Sequence, residues 1–270
     1  IGFIYDSSCR CFFCNELRYA SLWRIDFFTI INIYLNMISK IRPAIIEKAD
    51  GYIPLLLSFT IITFFVGLYF SLIESPADYI QGDSMRIMYI HVPSAWFSLM
   101  IYTLIALSSV FWFILRNPLL SLAGRSLAPI GAMFTFLALI TGSIWGKPTW
   151  GTWWAWDARI TSMLILFFLY LAYILLWHSI SNKDNASKIA AALGIIGFIN
   201  IPIIKFSVDW WNTLHQPATI SKLSTPSIDV SMLIPLLIMT LAFGLFLLSL
   251  FIIRIRILSL ELRINRKMTY

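Results

Sequence analysis

Three groups of residues in this chain have the types and spacing to do chemistry. His91 stands in Met88-Tyr89-Ile90-His91-Val92-Pro93, and His215 in Asp209-Trp210-Trp211-Asn212-Thr213-Leu214-His215-Gln216-Pro217. Between them, residues 145–159 pack five tryptophans (Trp145, Trp150, Trp153, Trp154, Trp156) into twelve residues, followed by Asp157 and Arg159. One or two tryptophans would serve as an interfacial belt. Five beside a carboxylate and a guanidinium exceed anchoring and suit a large, flat, apolar ligand that indole faces can stack on. Imidazole binds zinc, copper or iron, so the surroundings must decide the metal. Zinc needs further close ligands, which the flanking segments do not supply. Haem brings four nitrogens of its own and asks only for one or two axial ligands. Two histidines and an aromatic shelf therefore fit haem better than a bare ion. Arg86, Lys147, Arg159 and Lys222 are candidate partners for its propionates, each with an alternative role in topology or headgroup binding. His178 is assigned a structural role.

At helical spacing Trp150, Trp153 or Trp154, and Asp157 would share one face, forming a shelf along the membrane surface. Gly146, Pro148 and Gly151 argue against one uninterrupted helix, so a helical shelf is expected to begin near Thr152.

The elements that position these groups are membrane spans. A span needs about 20 apolar residues to cross about 30 Å of hydrocarbon. Six stretches qualify: 52–73, 95–115, 126–145, 160–177, 189–206 and 230–253. The fifth is the weakest, with Pro202 near its end and Lys205 at its boundary. The expected fold is an all-α integral membrane protein, a six-helix bundle with the tryptophan-rich segment at the interface between the third and fourth helices.

Lys and Arg in the flanks set the orientation. With the N-terminus inside, the inner segments hold fifteen of the twenty Lys and Arg residues, so both termini are expected on the cytoplasmic side. The outer loops are then 74–94, 146–159 and 207–229. These loops and the adjoining helix ends hold eight of the eleven tryptophans, together with His91 and His215. Chemistry is expected on the outer face.

Composition closes off other classes. Of the 270 residues, 59% are hydrophobic and 12% charged, too apolar for a soluble domain. The net charge of +7 does not indicate nucleic acid, because the cations sit beside apolar spans rather than on a basic face. Cys9, Cys11 and Cys14 all lie near the N-terminus, where no exported segment offers a disulfide partner and no fourth metal ligand is near. Residues 1–44 read as an extension, with Met37 a candidate start. Residues 45–256 form the membrane domain, with the tryptophan loop at 145–161, and 257–270 a basic cytoplasmic tail. The phenylalanine- and isoleucine-rich composition points to an AT-rich genome. A bacterial inner membrane is the expected location, and the mitochondrial inner membrane the alternative.

The segment Trp150-Gly151-Thr152-Trp153-Trp154-Ala155-Trp156-Asp157-Ala158-Arg159-Ile160-Thr161 resembles the tryptophan-rich signature of haem-handling proteins in cytochrome c maturation. Among these, the chain most resembles the cytochrome c maturation protein C family, also called haem exporter protein C. The blocks around His91 and His215 are similar to the surroundings of that family's two haem-ligating histidines. The resemblance covers roughly residues 45–256, and six spans in a short chain favour this family over larger relatives sharing the signature. The departures are the N-terminal extension and Ile160.

The resemblance implies haem delivery rather than chemical conversion, with haem b as the handled ligand. The family holds haem at the outer face and passes it to a membrane-tethered haem chaperone, cytochrome c maturation protein E. It works with an ATP-binding-cassette ATPase, a second membrane subunit and a small accessory subunit. On that reading haem lies edge-on against Trp150, Trp153, Trp154 and Trp156, with His91 and His215 ligating iron from opposite sides. Asp157 orients loop backbone or pairs with Arg159. Two readings compete. A permease carrying haem through the bilayer would need polar or ionisable residues lining its spans, and a quinone-linked redox protein would need paired histidines within spans. The sequence supplies neither pattern.

Overall fold

The computed structural model describes residues 51–215 and 228–268, all helix and connecting turns, with six helices or helix pairs long and apolar enough to cross a membrane. The spans are α1 (Gly51–Glu74), α2 (Met88–Leu115), α3 (Pro118–Trp150), α4 (Ala158–Ser179), the pair α5 (Lys183–Gly197) and α6 (Asn200–Trp210), and α7 (Val230–Met268). All six expected stretches are spans. Expectations placed on the N-terminal extension, its cysteines and Lys222 lie outside the described residues.

Local chemistry sets the boundaries. Asn117 caps α3, its side chain accepting from Leu119 N at 3.0 Å, with Pro118 in the first helical position where its missing N–H costs nothing. Asn182 caps α5 by accepting from Asp184 N and Asn185 N, both at 3.0 Å. The fifth span is two helices, broken at Phe198 and Ile199. Pro202, in the first turn of α6, has no N–H for the Phe198 carbonyl, which accepts from Ile201 N at 3.0 Å instead. α1 ends in a π-turn, Phe70–Glu74, whose Ser71 and Leu72 carbonyls accept from Arg86.

The core lies between α2, α3, α4 and α7, where Tyr89, Ile101, Phe134, Leu166, Tyr170, Leu236 and Met239 are fully buried. Its polar groups are satisfied helix to helix. Tyr170 Oη donates to Ser98 O at 2.7 Å, and Asn200 Nδ2 to Ser162 O at 2.8 Å. Phe59, Ile62, Phe65 and Ile73 of α1 point outward, as a lipid-facing surface would.

α3 is 33 residues, about 50 Å long at 1.5 Å per residue, so it outruns a hydrocarbon core of about 30 Å. Its C-terminal turns carry Trp145 and Trp150 at one end of the bundle.

Candidate functional site

The tryptophan segment begins inside a helix, not after one. α3 runs through Gly146 and Pro148 to Trp150, and stops at Gly151, whose φ of 76° is left-handed. Gly151 N donates back to Lys147 O at 3.1 Å. Gly146 is a point of close approach rather than a breaker, since a Cβ there would lie 2.9 Å from the Trp150 ring. The helical shelf expected from Thr152 does not form. Residues 152–157 are non-helical, and α4 starts only at Ala158, capped by Asp157. Asp157 Oδ1 accepts from Ile160 N at 2.8 Å, which gives Asp157 and the first turn of α4 their geometry.

Without a helix, the indoles do not share one face. Trp150 and Trp154 are half-buried, whereas Trp153 and Trp156 are 57% and 79% exposed. Ser143 Oγ donates to Trp153 O at 2.6 Å, and Thr152 Oγ1 to Trp154 O at 2.9 Å, so the extended strip is pinned at two places. Trp154 and Trp156 meet edge to face at 5.6 Å. The Trp154 indole N–H is buried without an acceptor among the described residues. Lys147 Nζ lies 6.0 Å over the Trp153 ring and donates to Gly151 O at 3.1 Å.

His91 lies within the first turn of α2 rather than before the span, because that helix begins at Met88. Its ring lies against α3. Nδ1 is 3.0 Å from Ala138 O and 3.2 Å from Thr141 Oγ1, and a Cβ on Gly142 would sit 2.9 Å from His91 Cε1. A carbonyl oxygen only accepts, so Nδ1 carries the proton and Nε2 keeps its lone pair. Trp145 packs edge to face on the imidazole at 5.7 Å, and its Nε1 donates to Gln81 Oε1 at 2.9 Å.

His215 follows α6 and meets the tryptophan segment. Its ring centroid is 4.8 Å from that of Trp150, and its Nδ1 is 3.3 Å from Asp157 Oδ2. The same oxygen accepts from Leu214 N at 3.3 Å. A carboxylate at Nδ1 again leaves Nε2 with the lone pair. Burial holds His215 below its ordinary value of 6.5, outweighing the nearby Asp157 carboxylate, which acts the other way. The ring is thus neutral at pH 7, the form a metal ligand requires. His91, His215 and Arg159 lie within electrostatic range of one another.

Of the expected propionate partners, Arg86 is occupied elsewhere. It caps α1 and pairs with Asp83 at 3.0 Å. Arg159 Nε donates to Ser207 Oγ at 3.2 Å and Nη2 to Lys205 O at 3.4 Å, so it ties α4 to α6 rather than pairing directly with Asp157. Its remaining guanidinium hydrogens stay available. Sequence reasoning missed Ala138, Thr141, Gly142 and Gln81, and did not connect Trp145 to His91. The run Thr141-Gly142-Ser143 inside an apolar span was the available signal, since small residues mark close approach between membrane helices.

No group of three or more His, Cys, Asp or Glu residues among the described residues could hold a bare metal ion. What the site offers is two neutral imidazoles with free Nε2 atoms, aromatic faces, and an unpartnered indole donor. That donor set fits a planar metal chelate carrying carboxylates.

A family model described as Heme exporter protein C matches residues 40–270. The chain is 47% identical over 225 residues to a protein of Bradyrhizobium diazoefficiens named Heme exporter protein C, covering 81% of this chain and 85% of that one. It is 45% identical over 196 residues to the Escherichia coli K12 protein of that name, covering 73% and 79%. It is likewise 44% identical over 216 residues to a putative cytochrome c biosynthesis ccmC-like mitochondrial protein of Marchantia polymorpha, covering 80% and 92%.

Proposed function

Because the chain belongs to the Heme exporter protein C family, we propose that it handles haem in c-type cytochrome biogenesis, holding it at the tryptophan-bearing end of the bundle for transfer to a haem chaperone. The observation that carries this reading is the matched pair of imidazoles. Each has Nδ1 committed to a fixed acceptor, Ala138 O or the Asp157 carboxylate, and each is left with Nε2 as its free donor atom. His91 and His215 would be the axial ligands. Fixing the second nitrogen orients a metal-bound imidazole and raises its basicity.

Trp150 and Trp154 would back the ring, while Trp153 and Trp156, exposed, would meet the incoming chaperone. The buried Trp154 N–H and the spare hydrogens of Arg159 would receive propionates. Nothing in this set makes or breaks a covalent bond. The ionisable residues of the described spans lie towards span ends, which supports a surface platform over a polar channel. The working partners are then haem b, the chaperone known as maturation protein E, an ATP-binding-cassette ATPase, a second membrane subunit and a small accessory subunit. The location is an inner membrane with the tryptophan end outward and both termini inward.

The test is the absorption spectrum of the detergent-purified chain loaded with haem. The expected spectrum is low-spin with two nitrogen ligands, converted to high-spin in His91→Ala and in His215→Ala. Haem held unchanged in both variants would overturn the axial assignment.

A further inference from the structure

The end of the bundle opposite the tryptophan segment carries a second cluster of donors. Arg125 lies two turns into α3, and Trp177 in the last turn of α4. Arg254 and Glu261 are two turns apart on α7, with buried Leu258 between them on the same face. Arg125 Nη2 is 3.5 Å from Glu261 Oε2, and its guanidinium carbon lies 5.5 Å over the Trp177 ring. Arg254 is close enough for its charge to be felt by that of Arg125.

Arg125 thus faces one carboxylate, Arg254 pairs with none among the described residues, and two donors are idle. Among the described residues neither Arg254 Nε nor Trp177 Nε1 has an acceptor, although both atoms are shut off from solvent. Trp177 as a whole is 6% exposed. The Tyr173 hydroxyl is near the indole N–H but not in hydrogen-bonding geometry. Buried donors of this kind, next to excess positive charge, suit an anionic acceptor.

Depth identifies the anion. At about 1.5 Å per residue, Arg125 lies about 30 Å along α3 from Trp145, and Trp177 about 28 Å along α4 from Ala158. Arg254 lies about 36 Å along α7 from Val230. A hydrocarbon core is about 30 Å thick, so these lengths bring all three donors to the opposite boundary of an apolar layer that begins at the tryptophan end, where headgroup phosphates start.

We propose that Arg125, Arg254 and Trp177 form a binding site for the phosphate of an anionic phospholipid in the leaflet opposite the tryptophan segment. Guanidinium recognises phosphate through paired N–H donors, and the indole N–H adds a third direction. A zwitterionic lipid would bring its own cation to a site already in positive excess, so anionic headgroups are preferred.

Native mass spectrometry of the full chain in detergent, supplied with phosphatidylglycerol or phosphatidylcholine, tests this. The wild type is expected to retain phosphatidylglycerol in preference. Arg254→Gln should cut that preference about tenfold, and Trp177→Phe, which keeps the ring and loses the N–H, about threefold. Lys183→Gln, an exposed charge lost at the same end, should leave it unchanged. Equal retention by wild type and Arg254→Gln would overturn the site. If Arg254→Gln fails to fold, an unchanged preference in Trp177→Phe overturns it equally. Complete displacement of the lipid by millimolar inorganic phosphate would reassign the cluster to a free anion and overturn the lipid proposal.

Discussion

His91 and His215 bring the same ring to the same end of the bundle but are held in different ways. His91 belongs to a helix. Its ring lies in a cleft of α3, bonded to Ala138 O and Thr141 Oγ1, with Gly142 removed from its path. Moving it means moving α2 against α3, which are packed through the core. His215 belongs to a connection. It reaches Asp157 and Trp150, which themselves sit on a non-helical strip between α3 and α4. Its position therefore depends on one carboxylate and one indole. On the proposed haem-holding role this asymmetry would be useful, because one axial histidine would stay fixed while the other could let go.

The largest effect is expected at Asp157, where a single side chain does two jobs. Asp157→Ala should lower haem affinity by about 10–100-fold, through loss of the group that orients His215. It should also cost about 1 kcal/mol of stability, through loss of the α4 cap. Asp157→Asn keeps a capping oxygen, so it should retain stability while still losing affinity. Haem titrations by Soret absorbance, beside thermal unfolding in detergent, separate the two jobs. Affinity in Asp157→Asn equal to wild type would remove the carboxylate from the account of His215.

A comparable change on the other side should act through geometry alone. Gly142→Ala places a methyl 2.9 Å from His91 Cε1, and a ring bonded at Nδ1 cannot step aside without losing its acceptor. Haem affinity should fall about tenfold, with the spectrum moving towards a single-histidine form. An unchanged spectrum would mean that the cleft does not fix this ring.

Much of this was visible in the residues, and the misses have physical causes. Span number followed from apolar length alone, and the two histidines and the tryptophan cluster from residue type. The end of α3 was misplaced because Gly146 and Pro148 read as breakers, and the shelf from Thr152 failed because the next helix starts only after the Asp157 cap. A proline loses one hydrogen bond, which a long helix survives, and a glycine beside a tryptophan can be there for space. The partners of His91 were illegible because a backbone carbonyl such as Ala138 O has no signature in sequence. The His215–Asp157 contact joins residues 58 apart, which no local spacing reveals.

Acid should act on the His215 side. Its folded value lies below 6.5, so as pH falls through 6.5 the unfolded chain takes up a proton that the folded site still refuses. Above 6.5 this group leaves stability unchanged; below it, acid weakens the fold. Haem retention should accordingly persist below pH 6.5, since the imidazole there is still neutral, and Asp157→Asn should move its acid limb lower still. A Soret-monitored pH titration of both proteins gives the direction. A limb that moves up in the variant would contradict the Asp157 carboxylate as a group that raises the His215 value.

The smallest effect is expected at Gln81, which touches neither imidazole. Its Oε1 is the acceptor for Trp145 Nε1, and Trp145 in turn packs on His91. Gln81→Leu leaves a half-buried indole N–H without its partner, at a cost of about 1 kcal/mol in stability. His91 would keep its bonds to α3, so haem affinity should change by less than about twofold. If a helix-held ligand is set by its own cleft, the loop that supports its neighbour matters to the fold and little to the iron. A large loss of affinity in Gln81→Leu, by haem titration with Tm measured alongside, would show that His91 is held by the outer loop as well, and the contrast with His215 would narrow accordingly.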